Sequence, residues 1–170
     1  MLDVYLSMLD LGYFELSEAF KGLKDENVWK RPAEGLLSIG ELAGHISYWE
    51  ANKFTGEGKA NLRPDLEKCQ VKSLLIDERF SYYQKTLAAP PTDEQQALTA
   101  DQVHREMVRI HEETFAYFKS QNRDLDTAPK GYNAHFTYRE LLKYAIFHTS
   151  YHTGQMYTAR HLLGEETPDN

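Results

Sequence analysis

Cysteine is nearly absent from this 170-residue sequence, and Cys69 is its only example. One cysteine cannot form a disulfide within the chain, and it excludes metal sites that are built from several thiolates. Long apolar stretches are also lacking, since none approaches the roughly 20 residues that a membrane-spanning helix requires. The first residues carry Asp3 and Asp10 among leucines and no basic leader, so we expect no signal peptide. These absences predict a cytoplasmic protein without a membrane partner.

Basic residues are few in relation to acidic ones. The chain has 19 lysines and arginines against 26 aspartates and glutamates, which gives a formal net charge of −7. A nucleic-acid backbone would require clustered positive charge, so we expect no nucleic-acid partner. Hydrophobic residues make up 41% of the sequence, which is ordinary for a globular protein. A chain of this length and composition suits one folded domain over residues 1–170.

Apolar residues recur at alternating steps of three and four in four segments of the chain, the spacing of amphipathic helices. The first segment covers residues 2–23, with Gly22 near its end. The other three follow a serine or threonine that has Glu or Gln three residues later, the pattern of a helix-capping box. These capping residues are Ser38, Thr99 and Thr137. Four long helices predict an all-α protein built as a four-helix bundle.

The link between the second and third long helices has a weaker pattern. Gly56 and Gly58 are expected to end the second helix, and Pro90-Pro91 breaks the chain further on. Between them, residues 74–87 fit either a short helix or an extended piece. We therefore predict one additional short helix or irregular segment here. The link is long enough for a crossover, so a simple up-down-up-down order of the helices is not required.

The last helix carries a stripe that is apolar at both ends and polar in its middle. Its members are Tyr138, Leu141, Ala145, His148, His152, Gln155, Ala159 and Leu162. Burying two histidines and a glutamine costs free energy unless each polar atom finds a partner. His148 and His152 are four residues apart, so their side chains leave the same helix face within about 6 Å of each other. This spacing allows both imidazoles to bind one metal ion.

A third ligand is expected from a facing helix, and His45 is the candidate. It is the other histidine that lies mid-helix on a mostly apolar face. His104 and His111 flank the apolar seam of the third long helix among charged residues, so we expect them at its boundary or in solvent. His135 falls in a loop, and His161 lies near the last helical turn. Three neutral imidazoles leave a divalent ion with an open position, which is typical of catalytic sites.

Two common metal sites are excluded by the residues around these histidines. A zincin has a glutamate directly after its first helical histidine, and Thr149 stands at that position here. A ferritin-like di-iron centre has a glutamate three residues before each histidine ligand, and no histidine in this sequence has one.

Two segments resemble the motifs of the DinB/YfiT-like superfamily. They are Ser-Ile-Gly-Glu-Leu-Ala-Gly-His at 38–45 and Phe-His-Thr-Ser-Tyr-His-Thr-Gly-Gln-Met-Tyr at 147–157. Trp29, Pro32 and the Arg-His-Leu-Leu-Gly segment at 160–164 extend the similarity over nearly the whole chain. The resemblance implies a four-helix bundle, often a homodimer, with one divalent metal ion held by three histidines. The ion could be zinc, nickel, manganese or iron, and its ligands here would be His45, His148 and His152.

The resemblance also implies a class of reactions but does not choose among them. Related proteins are described as metal-dependent hydrolases, as transferases of small thiols such as bacillithiol, or as mycothiol-dependent isomerases. We therefore expect a small-molecule substrate, including a low-molecular-weight thiol, at the open metal position. The alternative is a non-enzymatic metal-binding stress-response module that acts through dimerisation.

Four residues are candidates for a catalytic role beside the metal. Gln155, Tyr151 and Tyr144 lie close to the histidine pair on the helix surface and could orient ligands or substrate. The two tyrosines could instead pack in the core with each hydroxyl satisfied. Glu50 follows His45 by five residues and is the fourth candidate. Gly154 would let a neighbouring backbone approach the last helix closely.

Overall fold

The computed structural model describes residues 1–56, 66–82 and 89–168, and this part of the chain contains helices and no strand. The helices are α1 (Leu2–Glu18), α2 (Asp25–Val28), α3 (Ile39–Thr55), α4 (Asp93–Gln96), α5 (Ala100–Ser120) and α6 (Tyr138–Leu162). Two 3₁₀ turns, Leu66–Lys68 and Glu78–Phe80, lie between α3 and α4. The predicted all-α bundle of four long helices is confirmed. In the described ranges, no helix is both long and apolar enough to cross a lipid bilayer.

The predicted helix starts are confirmed by their hydrogen bonds. Ser38 Oγ accepts from the Glu41 backbone N–H at 3.2 Å, while the Glu41 carboxylate accepts from the Ser38 N–H at 2.8 Å. Thr99 forms the same reciprocal pair with Gln102, and Thr137 accepts from the backbone N–H three residues later. Each arrangement satisfies N–H groups that a helix end would otherwise leave without a partner.

The first helix is shorter than predicted. It ends at Glu18, and the chain then turns through Gly22, whose φ of +70° suits glycine. Phe20 and Leu23 are still buried, but they enter the core from this turn. Arg160 of α6 fixes the turn, because its guanidinium donates to the carbonyl oxygens of Ala19 and Lys21 at 3.0 and 2.7 Å. The spacing of apolar residues in the sequence did not show where the helix ends and the buried turn begins.

The link between α3 and α5 contains α4 and the two 3₁₀ turns, as the weak sequence pattern predicted. Gly56 ends α3, as expected. The part of the predicted ambiguous segment that is described forms the Glu78–Phe80 turn, and Phe80 is fully buried. Gly58 and residues 83–88 lie outside the described residues. The short helix α2, which follows α1, was not predicted.

Contacts between the long helices define their order in the bundle. Glu50 meets His111 and Phe54 meets Phe115, so α3 and α5 run parallel. Asp3 pairs with Lys119 and Ser17 with His104, so α1 and α5 are antiparallel. The long link between α3 and α5 is therefore a crossover.

Helix α6 packs against both α1 and α3. It runs parallel to α1, because Gly12 lies beside Thr149 and the Glu15 carbonyl oxygen accepts from the Tyr157 hydroxyl. It is antiparallel to α3, since His45 meets His152 while Lys53 meets Tyr144. The long helices thus follow an up-down-down-up order.

Because α6 has two neighbours, its buried face is wider than the predicted stripe and is turned relative to it. Leu142, Thr149 and Met156 lie at its centre and are fully buried or nearly so. Gln155 and Leu162, which the stripe placed in the core, are exposed. The prediction was wrong for these two residues because contact with both α1 and α3 turns the buried face of α6 away from the predicted stripe.

Candidate metal centre

His45 projects from the middle of α3, and a backbone carbonyl fixes its orientation. Its Nδ1 lies 2.7 Å from the carbonyl oxygen of Phe80. A carbonyl oxygen can only accept, so Nδ1 carries the proton and Nε2 keeps its lone pair. The imidazole is therefore held with Nε2 available to a ligand.

A glycine on α3 allows Phe80 to reach this position. A Cβ atom added at Gly44 would lie 2.6 Å from the Phe80 ring, which is closer than real contacts permit. Gly40, one turn earlier, leaves similar room for the Trp29 ring. The two glycines of the motif at 38–45 therefore leave space for two aromatic side chains. One of them is Phe80, and its packing against Gly44 places its backbone carbonyl beside His45.

His152 on α6 is oriented in the same way by a side chain. Its Nδ1 lies 2.7 Å from Oε1 of Gln155, three residues further along the helix. With the amide oxygen as acceptor, Nδ1 is the protonated nitrogen and Nε2 again keeps its lone pair.

The three Nε2 atoms converge on one point. Nε2 of His148 lies 3.1 Å from that of His45 and 3.2 Å from that of His152. A single proton on His148 can satisfy only one of its two neighbours, which leaves lone pairs facing each other. An ion bound at about 2.0–2.1 Å from each nitrogen in a tetrahedral arrangement would separate the nitrogens by about 3.3 Å. The donor set therefore fits one divalent cation, and these three residues could hold it.

The electrostatics of the cluster favour neutral imidazoles. Burial, together with nearby positive charge, lowers the pKa of His45 to about 4 and that of His148 to about 2, although the hydrogen bond to the Phe80 carbonyl opposes the shift at His45. Burial also lowers the pKa of His152. Neutral imidazole is the form that coordinates metal ions, so the three histidines can bind a metal ion at neutral pH without first losing a proton.

A cavity of about 380 Å³ opens beside His45 and His148. Its described walls are Trp49, Lys53, Leu141, Tyr144 and the loop residues Gly131, Tyr132, Asn133 and Phe136. This volume is within the range of pockets that bind small molecules. The centre is therefore accessible to a ligand from one side.

Three of the four expected catalytic residues lie around the histidines. Gln155 is exposed and holds His152, as described above. The Tyr144 ring stacks on His148 with centroids 5.7 Å apart, and the Tyr151 ring meets the edge of His152 at 5.0 Å. Tyr144 and Tyr151 are 43% and 53% exposed, so neither has the core position that was the alternative.

The fourth, Glu50, is part of a separate buried network. Its carboxylate accepts from the Tyr13 hydroxyl at 3.1 Å and from His111 Nδ1 at 2.9 Å. His111 was expected at a boundary or in solvent, and this expectation was wrong: it is buried and stacked on Tyr13 at 3.6 Å. A buried carboxylate between α1, α3 and α5 requires such partners.

This network shifts two pKa values. Burial lowers the pKa of His111, but the negative charges of Glu50 and Asp10 raise it, and the net effect is upward. Burial, reinforced by Glu50, raises the pKa of the Tyr13 hydroxyl well above its usual value. Tyr13 therefore remains a neutral donor to the carboxylate.

Some features of the centre were missed or misjudged in the sequence. Trp49 and Lys53 follow His45 at steps of four, so helical spacing could have placed them beside it. The Phe80 carbonyl is a backbone group from a distant turn, and no side-chain pattern signals it. Gly154 has no neighbouring atom close to where a Cβ would lie, so the expected close backbone approach was wrong.

Comparison with known proteins identifies the family of the chain. The family model of the DinB superfamily matches residues 8–156, a range that contains all three histidines. No curated protein and no solved structure gives a significant match. Because the matched range covers more than half of the chain, the protein belongs to the DinB superfamily.

Proposed function

We propose that this protein binds one divalent metal ion through Nε2 of His45, His148 and His152. The convergence of three nitrogens, two of them with Nδ1 committed to another acceptor, is the observation that supports this function. Hydrogen bonds that fix the second nitrogen of each ligand are typical of metal-binding histidines. The Phe80 carbonyl and the Gln155 amide take this role here.

We further propose that the site is enzymatic and acts as a metal-dependent hydrolase or a small-thiol-dependent transferase. A divalent ion held by the three histidines would supply a Lewis acid that makes a water or thiol more acidic. The cavity beside His45 and His148 would hold the substrate and limit its contact with water. Tyr144 and Tyr151 would orient the substrate, whereas Glu50 is bonded to Tyr13 and His111 in the separate buried network.

The metal assignment is tested by elemental analysis and native mass spectrometry of the purified protein. We expect one divalent ion per chain in the wild type and none in His148→Ala, since two imidazoles hold such an ion weakly. His135→Ala, in the exposed loop, is the control and should keep the ion. A His148→Ala variant that retains one ion per chain would refute the assignment.

The alternative is a non-enzymatic metal-binding module that acts as a homodimer. An exposed apolar surface on the neighbouring helices α1 and α6 favours a second copy as partner. Its residues are Val4, Met8, Leu11, Phe14, Phe147 and Tyr151. Apolar patches of this kind mark interaction sites in soluble proteins.

Light scattering on the wild type and on Phe14→Asp tests the homodimer. We expect the mass of two chains in the wild type and of one chain in the variant. A metal-loaded dimer that turns over neither hydrolase nor thiol-transfer substrates would support the alternative. A monomeric wild type would exclude it.

A further inference from the structure

Lys53 is a cation in the wall of the cavity, and none of the described carboxylates forms an ion pair with it. Its Nζ lies 4.1 Å from the centre of the Tyr144 ring and 5.3 Å from that of Trp49. Among the described residues that line the cavity, it is the one lysine, arginine, aspartate or glutamate. As far as the described residues show, the cavity therefore has one positive charge that no carboxylate in its wall compensates.

The surroundings of Lys53 differ from those of Lys143 and Lys21. Lys143 pairs with Glu140 at 2.7 Å, and Lys21 pairs with Glu18. Lys53 has two aromatic faces instead, and burial lowers its pKa to about 8. Aromatic rings compensate only part of the cost of removing an ammonium group from water. An anion in the cavity would compensate more of this cost.

The positions of the Lys53 ammonium and of the aromatic rings limit which ligands fit the cavity. His45, Trp49 and Lys53 follow each other at steps of four, so they share one face of α3. Helix rise separates His45 from Lys53 by about 12 Å along the axis. Trp49 lies between them on α3, and the Tyr144 ring contacts both the Lys53 ammonium and the His148 ring.

We propose that Lys53 binds the anionic group of the substrate, so that the site takes a small organic monoanion. The apolar part of this molecule lies against Trp49 and Tyr144, and its reacting end points to the three histidines. One lysine matches one negative charge, whereas a polyphosphate requires several donors. This inference rests on the proposed function, because it assigns the substrate class of the same site.

Binding of a matched pair of probes tests the inference. The probes are 3-phenylpropionate and 3-phenylpropionamide, which differ in charge and share the apolar part. They are titrated into metal-free protein, and amide chemical shifts are followed by NMR. We expect the wild type to bind the carboxylate about tenfold more tightly than the amide. Lys53→Met should remove this preference, since methionine keeps the apolar stem without the charge.

Two further variants complete the experiment. Lys53→Arg keeps the charge and should keep the preference, which also shows that a substitution at this position is tolerated. Lys143→Met removes an exposed lysine outside the cavity and should behave as the wild type. An unchanged carboxylate preference in Lys53→Met, or a wild type with no preference, would overturn the inference.

Metal content measured on the same samples separates this inference from the proposed function. Lys53→Met should still bind one divalent ion per chain after reloading, because none of the three histidines is altered. If the wild type binds no metal but prefers the carboxylate in a Lys53-dependent manner, the proposed function fails and the anion site stands. If it binds metal but Lys53→Met keeps the preference, the anion site alone fails.

Discussion

Gln155 shows how a residue outside the core can determine the properties of a buried site. The sequence placed it on the same stripe as the two histidines, and the structure places it in solvent, with its amide oxygen on His152. Its proximity to the pair could therefore be predicted from spacing, whereas its exposure could not. Exposure depends on how α6 is rotated against two neighbours, which is a property of the packed bundle.

We expect Gln155→Ala to weaken metal binding by about 10- to 100-fold, the usual effect of losing a hydrogen bond that orients a histidine ligand. Without the amide oxygen, His152 can rotate or adopt its other tautomer. Competition with a chromophoric chelator measures the affinity. Gln155→Glu retains an acceptor and should restore most of it, while Ser150→Ala on the same helix should have no effect. Equal affinities of Gln155→Ala and the wild type would contradict this role.

His111 predicts a specific pH dependence of stability. Its pKa is raised in the folded state by Glu50 and Asp10, in spite of burial. A raised pKa stabilises the fold fully below the unfolded value of about 6.5, and this stabilisation is lost as pH rises through the folded value. The advantage of the wild type over His111→Gln in free energy of unfolding should therefore shrink from pH 5.5 to pH 8.5. One proton limits its slope to about 1.4 kcal/mol per pH unit.

Urea unfolding of both proteins at several pH values, in excess chelator, measures this difference. Subtracting the variant removes the titration of the metal-site histidines, which is common to both proteins. Glu50 can still accept a hydrogen bond from the glutamine amide, and the Tyr13 hydroxyl keeps its own bond to Glu50. An advantage that is constant with pH would show that folding does not shift the pKa of His111, and one that grows with pH would show that folding lowers it; either result would contradict the raised pKa.

At the scale of elements, the motif at 38–45 combines a helix start with two close contacts. The capping box of Ser38 and Glu41 could be predicted because it depends on neighbours in sequence. The functions of Gly40 and Gly44 could not, because the Trp29 and Phe80 rings that fill their space come from other segments. The same limit applies to Phe80 itself, which lies in a segment without a clear period.

We expect Gly44→Ala to destabilise the protein by about 1–3 kcal/mol and to weaken metal binding as well. The added Cβ would lie 2.6 Å from the Phe80 ring, so the turn that carries the Phe80 carbonyl must shift away from His45. Gly154→Ala is the matched control on α6, where the same methyl group meets open space. It should stabilise the protein by up to about 1 kcal/mol through helix propensity.

Thermal unfolding and metal titration of both glycine variants measure these effects. A Gly44→Ala variant as stable as Gly154→Ala would mean that the turn moves without cost. A destabilised Gly44→Ala with unchanged metal affinity would mean that His45 does not depend on the Phe80 carbonyl.

At the scale of the whole molecule, the helical bundle could be predicted from the sequence, whereas the directions of its four long helices could not. Four amphipathic segments, three of them with a capping residue, required a helical bundle, since each has one apolar face to bury. The parallel arrangement of α3 and α5 depends on pairs such as Glu50–His111 and Phe54–Phe115. These pairs join distant positions, so a period within one helix carries no information about them.

The two apolar clusters of the bundle lead to a prediction about metal removal. Most of their members come from the long helices, and the three histidines add only a local polar cluster between α3 and α6. The fold should therefore persist without the ion, which adds only its binding free energy. At a free metal concentration 100 times the dissociation constant, this amounts to about 2.7 kcal/mol.

We expect chelator to lower the melting temperature by several degrees and to leave helical circular dichroism at 25 °C unchanged. The melting temperature of His148→Ala should be the same with and without chelator. Loss of helical signal on chelation would instead show that the ion is required for folding, as in closed structural sites.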